Sequence, residues 1–227
     1  MRSRCATKNT LASEASLMRL YDYSRSSAAY RVRIALRLKG LSWDAVPVDL
    51  RRGTHRTLDY LARNPQGLVP TLEDGEVTLT QSMAIVEYLD ERFPEPPLMP
   101  ADPVGRAQVR SLAQHLACEI GPLTSLRVLQ HLQHRLGVGD RERSGWYRHW
   151  IAEGFTSLEA RLAAVAGAFC YGDQVTLADL CLVPQVYNAR RYNCDLVPFP
   201  QIRRIETACL RLPAFDEARP ERQLDAA

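Results

Sequence analysis

Three short segments of this 227-residue chain carry side chains whose types and spacing could do chemistry. The first is Arg25-Ser26-Ser27, in YSRSSAAYRVRIAL, where a short apolar run passes into the start of a helix. A helix N-terminus presents unpaired N–H groups and the positive end of the helix dipole, so a hydroxyl there can donate to a bound thiolate and lower its pKa. Either Ser26 or Ser27 can fill that role, and either can equally be a plain helix cap. The second segment, LVPTL, sets Pro70 between an extended run and a strand, as at a sheet edge or a cis bond. A cis Val69-Pro70 bond would leave the Val69 backbone facing outward, free to pair with a peptide-like ligand by strand addition. The third, Thr80-Gln81-Ser82, closes a strand and opens a second helix, where the Gln81 amide and Ser82 hydroxyl suit a carboxylate. Ser82 too has a bland reading as an N-cap.

The elements that position these segments follow from periodicity. LMRLYDY reads as a strand over 17–23, and helical spacing of Val32, Ile34, Ala35, Leu36 and Leu38 gives a helix from 26 to 38, stopped by Gly40. A β-rich run over 43–50 supplies a second, parallel strand and completes a β-α-β unit. A short helix over 58–63 comes next, then two strands around the Asp74-Gly75 turn and a helix over 82–92. The first ~90 residues thus predict a four-stranded mixed sheet with helices. FPEPPLMPADP, with five prolines, reads as a linker. Beyond it every periodic segment is helical, over 104–136, 145–165, 176–192 and 200–212. The expected organisation is an N-terminal extension over 1–16, an α/β domain over 17–93, a linker over 94–103 and an all-helical domain over 104–227.

Composition narrows the function classes. Hydrophobic residues make up 46% and charged residues 24%, the balance of a soluble globular protein. No apolar run is long enough to span a bilayer, and a net charge of +3 is too small and scattered to indicate nucleic acid. Of the 29 basic residues 27 are arginine, so a single arginine argues for binding only through its position. Six cysteines without a C-x-x-C pair favour reduced thiols in a cytoplasmic protein. His131 with His134, and His115 with Cys118, could each place two ligands on one helix face, but no third ligand completes a metal site. Thr176 and Asp179 in VTLAD form a capping-box pair, so Asp179 reads as structural.

A thiolate site, a backbone edge and a carboxylate site together suit a γ-glutamyl tripeptide. The chain resembles the glutathione S-transferases, and within them the zeta class, which includes maleylacetoacetate and maleylpyruvate isomerases. RSSAAYRVRIALRLKG resembles the class signature, and NPQGLVPTLEDG, QSMAIVEYLDERFP, LMPADPVGRAQVR and YGDQVTLADLCLVPQVYNARRYNCDLVPFPQI extend the match from about Leu17 to the terminal RQLDA. The resemblance implies a thioredoxin-like N-terminal domain, an all-α C-terminal domain, glutathione as cofactor and a homodimer. It implies glutathione contacts from Ser26, Ser27, Val69, Gln81, Ser82 and Ser125, and diacid contacts from Arg25, Arg127 and Arg191. The activity implied is glutathione-dependent cis–trans isomerisation of a maleyl diacid. The chain departs from the class at Ala28, where the signature has cysteine, and at Gly121, where the class has glutamine or histidine. A general conjugating transferase or peroxidase, or a binding module that has lost catalysis, remain the alternative readings.

Overall fold

The computed structural model describes residues 18–226; the extension expected over 1–16 lies outside them. Strand β1 (Met18–Asp22) leads into helix α1 (Ser27–Leu38), followed by β2 (Trp43–Pro47), α2 (Leu58–Arg63), β3 (Thr71–Asp74), β4 (Val77–Thr80) and α3 (Ser82–Arg92). The sheet order is β2-β1-β3-β4; β1 is parallel to β2 and β3 antiparallel to β4, as the β-α-β and hairpin patterns predict, and β1 joins the two pairs by running antiparallel to β3. β2 stops three residues short of the predicted run, because the Asp49 carboxylate turns the chain by accepting the Arg51 and Arg52 N–H groups at 2.8 and 3.1 Å.

The proline-rich stretch carries no helix or strand before residue 103. It is clamped onto α3: Asp90 Oδ1 accepts from Lys39 Nζ at 2.6 Å and from Leu98 N–H at 2.8 Å. The helical part comprises α4 (Pro103–Gln114), α5 (Gly121–Leu123), α6 (Leu126–His134), α7 (Asp140–Val165), α8 (Leu177–Arg191), α9 (Pro200–Leu210) and α10 (Pro213–Glu217). The single helix predicted over 104–136 is therefore broken. His115–Ile120 widens into a π-helical turn, and Pro122, having no N–H to donate, ends the regular ladder before Ser125 opens α6. Helix α7 starts five residues earlier than predicted, with Asp140 and Glu142 in its first turn, where carboxylates complement the dipole. Gly145, read as the start, is tolerated inside the helix.

One continuous core joins sheet and helices, running from Leu20, Ile34 and Leu72 through Leu89 and Leu116 to Leu180 and Ile205. Helix α1 is its hinge element, packing against α3, α8 and α10. A second cluster, Tyr21, Val48, Tyr60 and Val69, lies under the loop before β3. The buried start of α8 is locked as its sequence predicts. Asp179 is fully buried, and its carboxylate accepts from Thr176 N–H at 2.8 Å, Thr176 Oγ1 at 3.0 Å and Cys170 N–H at 2.8 Å. Among the described residues, no helix is long and apolar enough to cross a membrane.

Candidate functional site

Serine 26 is the N-cap of α1: its Oγ accepts the Ala29 N–H at 3.2 Å, and its own N–H donates to the Tyr23 carbonyl at 2.8 Å. Acting as acceptor toward Ala29 leaves the Ser26 O–H proton free to donate outward. Ser27 is the first helical residue, and its hydroxyl has no partner among the described residues. Nor do the N–H groups of Ser27 and Ala28, so the mouth of α1 offers two hydroxyls and two backbone donors to one anion. The bland reading of Ser26 as a cap is correct, and it leaves the functional one intact.

The turn that carries these serines is braced from far along the chain. Arg33, with 0% exposure, binds both Asp22 carboxylate oxygens at 2.7 and 2.8 Å, and it also donates to the carbonyls of Ser24 and Ala218 at 3.0 Å each. Burial pushes the Asp22 carboxyl above its usual range, and the Arg33 charge and hydrogen bonds pull it back. The Asp225 carboxylate accepts the Ser24 N–H at 2.9 Å, and Ser24 Oγ donates to the Asp225 carbonyl at 3.3 Å. The C-terminal RQLDA is thus part of the scaffold of the Arg-Ser-Ser turn.

The second segment is pinned through Leu68, whose carbonyl accepts from Tyr60 Oη at 2.6 Å and Asn64 Nδ2 at 2.7 Å. The Val69-Pro70 bond is cis, and the Val69 backbone N–H and carbonyl have no partner among the described residues. At the third segment Gln81 has φ +71°, a left-handed conformation rare for a residue with a side chain, and its Nε2 donates to Gln66 Oε1 at 2.7 Å. Ser82 is not the N-cap of α3 but its first helical residue, and Gln81 gives no side-chain cap. The first intrahelical bond runs from Ile85 N–H, so the N–H groups of Ser82, Met83 and Ala84 stand open to an anion.

Arg25, before α1, and Arg191, at the end of α8, both bear on Tyr187. Burial and the hydrogen bond that the Tyr187 hydroxyl donates to the Glu221 carboxylate push that hydroxyl above its usual range, and the charges of Arg191 and Arg25 both pull it down. Arg191 is exposed, stacks its guanidinium 6.0 Å from the rings of Tyr187 and Tyr192, and touches Asn188 Oδ1 at 3.3 Å. Its neighbour Arg190 is instead ion-paired with the buried carboxylate of Glu206. Arg127, exposed in the first turn of α6, forms no ion pair among the described residues. Ser125, at the N-cap position there, donates its hydroxyl to the Pro122 carbonyl at 2.8 Å. This loop is held by Trp146, which donates to the Leu123 carbonyl at 2.8 Å, and α7 continues with Tyr147, stacked 3.6 Å from Tyr192.

Five described cysteines are free. Burial pushes the thiols of Cys181 and Cys194 up to about 11, and those of Cys170 and Cys209 are also raised, so none of these four is a ready thiolate. Sequence reasoning missed Ser24, Arg31, Arg33, Gln66, Tyr187 and Asp225, none of which stands in a motif with chemistry of its own.

The family model for the glutathione S-transferase N-terminal domain matches residues 20–97. A maleylacetoacetate isomerase of Rhizobium meliloti is 50% identical over 205 residues, covering 89% of this chain and 96% of the relative. The holo structure of a maleylpyruvate isomerase, described as a bacterial glutathione S-transferase of the zeta class, superposes with a TM-score of 0.90 at 43% identity, covering 92% of this chain and 100% of that one. The chain belongs to the zeta class of the glutathione S-transferases. A second solved structure, a maleylacetoacetate isomerase from Methylobacterium extorquens AM1 with bound malonate and glutathione, is 42% identical with a TM-score of 0.90, covering 92% of this chain and 99% of that one. The mixed sheet followed by helices is the glutathione S-transferase fold that the sequence led us to expect.

Proposed function

We propose that this zeta-class chain catalyses glutathione-dependent cis–trans isomerisation of a maleyl diacid, maleylacetoacetate or maleylpyruvate, to its fumaryl isomer. The observation that carries the proposal is the open α1 mouth, where Arg25 directly precedes the Ser26 and Ser27 hydroxyls and the N–H groups of Ser27 and Ala28 have no partner among the described residues. The open donors of Ser27, Ala28, Val69 and Ser82 fit a thiol tripeptide with carboxylate ends. When bound, glutathione supplies reversible thiolate addition to the activated cis double bond, which permits rotation.

The chain's residues do the rest. Ser26, fixed by its bond to Ala29 N–H, donates to the sulfur and keeps it ionised, with Ser27 beside it. Val69 and Gln81 align the peptide, the open end of α3 at Ser82 takes a carboxylate, and Ser125 approaches from the helical side. Arg25, Arg191 and Arg127 hold the diacid and stabilise negative charge developing on its oxygens. In this reading residues 17–93 bind glutathione, 94–103 link, 104–227 face the diacid, and the protein works as a cytoplasmic homodimer on small molecules. Ala28 and Gly121 are the observations that favour a second reading, a transferase conjugating other electrophiles, since neither offers a polar group to the sulfur.

The test follows the ultraviolet absorbance of maleylacetoacetate and maleylpyruvate with and without glutathione. Glutathione-dependent loss of the cis isomer of one of them is expected. Turnover of neither, alongside conjugation of a generic electrophile, would establish the second reading instead.

A further inference from the structure

Helix α1 buries two arginines, and the structure treats them differently. Arg33 is neutralised by both oxygens of Asp22 and has two further carbonyl acceptors. Arg31, 4% exposed, has no carboxylate within ion-pair distance among the described residues, and its buried Nε has no partner. Its one hydrogen bond runs from Nη1 to Ser82 Oγ at 3.3 Å. A buried guanidinium without a countercharge is costly, so it signals an anion that arrives from outside.

The surroundings supply no substitute. A side chain at residue 121 would begin 3.9 Å from Arg31 Nη2, but the residue there is Gly121 and adds no polar group. The nearby Cys181 thiol is held neutral by burial despite the pull of the Arg31 charge. Arg31 has one further consequence for Ser82. A guanidinium can only donate, so Ser82 Oγ must accept from it, and the serine proton is left to point elsewhere. Ser82 opens α3, whose first three N–H groups have no partner. Donor hydroxyl, open helix N-terminus and unbalanced cation therefore address the same place.

We propose that Arg31 is a positioning residue for a carboxylate of the bound tripeptide: it fixes Ser82 as a donor and supplies the buried positive charge which that carboxylate balances. The inference rests on glutathione being the ligand. It makes Arg31 an electrostatic support rather than a contact residue, and Arg31 should therefore set the preference for glutathione over analogues lacking the carboxylate.

Calorimetric titration of the full chain and of Arg31→Gln tests this, with three probes: glutathione, γ-aminobutyryl-Cys-Gly, and the glycine ethyl ester of glutathione. The wild-type chain is expected to bind one truncated probe about 10–100-fold more weakly than glutathione, as loss of a charge-assisted contact dictates. In Arg31→Gln that preference should collapse to within about 3-fold, through weaker glutathione binding and an unchanged affinity for the truncated probe. Equal weakening of all three probes would mark Arg31 as a purely structural residue and overturn the proposal. Should Arg31→Gln fail to fold, Arg31→Lys and Ser82→Ala carry the test, and full retention of the preference in both would overturn it. No glutathione binding by the wild-type chain would sink the ligand assignment itself, a different outcome from any of these.

Discussion

Replacing Ser26 separates its two duties, because one belongs to the helix and the other to the ligand. The cap bond to Ala29 N–H, at 3.2 Å, is the only side-chain cap on α1. Its loss in Ser26→Ala should cost about 1 kcal/mol, which for a chain of this size lowers Tm by about 2–4 °C. The donor bond to a bound thiolate is charge-assisted and contributes about 1.5–3 kcal/mol, equivalent to a rise of about 1–2 units in the thiol pKa. The acid limb of the pH–rate profile should move up by the same interval, and turnover near neutral pH should fall about 10–100-fold. Ser26→Asp is the discriminating variant. Aspartate caps as well as serine, so Tm should stay within about 1–2 °C of wild type. Its negative charge at the helix mouth should nevertheless raise the thiol pKa further than alanine does. Thermal melts and ultraviolet titration of the bound thiolate read both quantities. Recovery of activity together with stability in Ser26→Asp would show that Ser26 is only a cap and would refute the reasoning.

Other outcomes follow from single contacts. Arg191→Ala should lower kcat/KM for the diacid about 10–100-fold with glutathione affinity within about 2-fold, whereas Arg190→Ala should leave diacid kinetics alone and lower Tm by stranding Glu206; equal kinetic losses would contradict the assignment. Asp179→Ala orphans the Thr176 and Cys170 N–H groups at about 1–3 kcal/mol each, so denaturant melts should show a loss on that scale without a change in pH profile. With folded pKa values near 11 against 9.0 unfolded, Cys181 and Cys194 contribute stability below pH 9 that disappears as pH rises through 11. At pH 8 a thiol of pKa 11 is only about 0.1% ionised, so mass spectrometry after alkylation should find exposed Cys118 modified well before Cys181.

Much of the fold was legible because it is encoded by neighbours. The period-2 and period-3.6 runs define β1, α1, β3, β4 and α3, the Asp74-Gly75 pair defines the hairpin, and the Thr176–Asp179 pair defines the start of α8. Each signal lies within a few residues, where local sterics and capping decide the backbone. The break at 115–125 was not legible, because a π-turn keeps helical periodicity over most of its length and only Gly121-Pro122 hints at the interruption.

The sequence by itself determined the β-α-β-α-β-β-α order, the serines at a helix mouth and the absence of a cysteine beside them. Tertiary structure alone decided which charges are spoken for. Arg31 and Arg33 are two residues apart on one helix, yet only Arg33 meets a carboxylate. Adjacent Arg190 and Arg191 differ because Glu206 takes one of them. Ser24 depends on Asp225, 201 residues away. Coulomb and hydrogen-bond partners are chosen by distance in space, and among 27 arginines no spacing rule reveals which partner the folded chain will bring near.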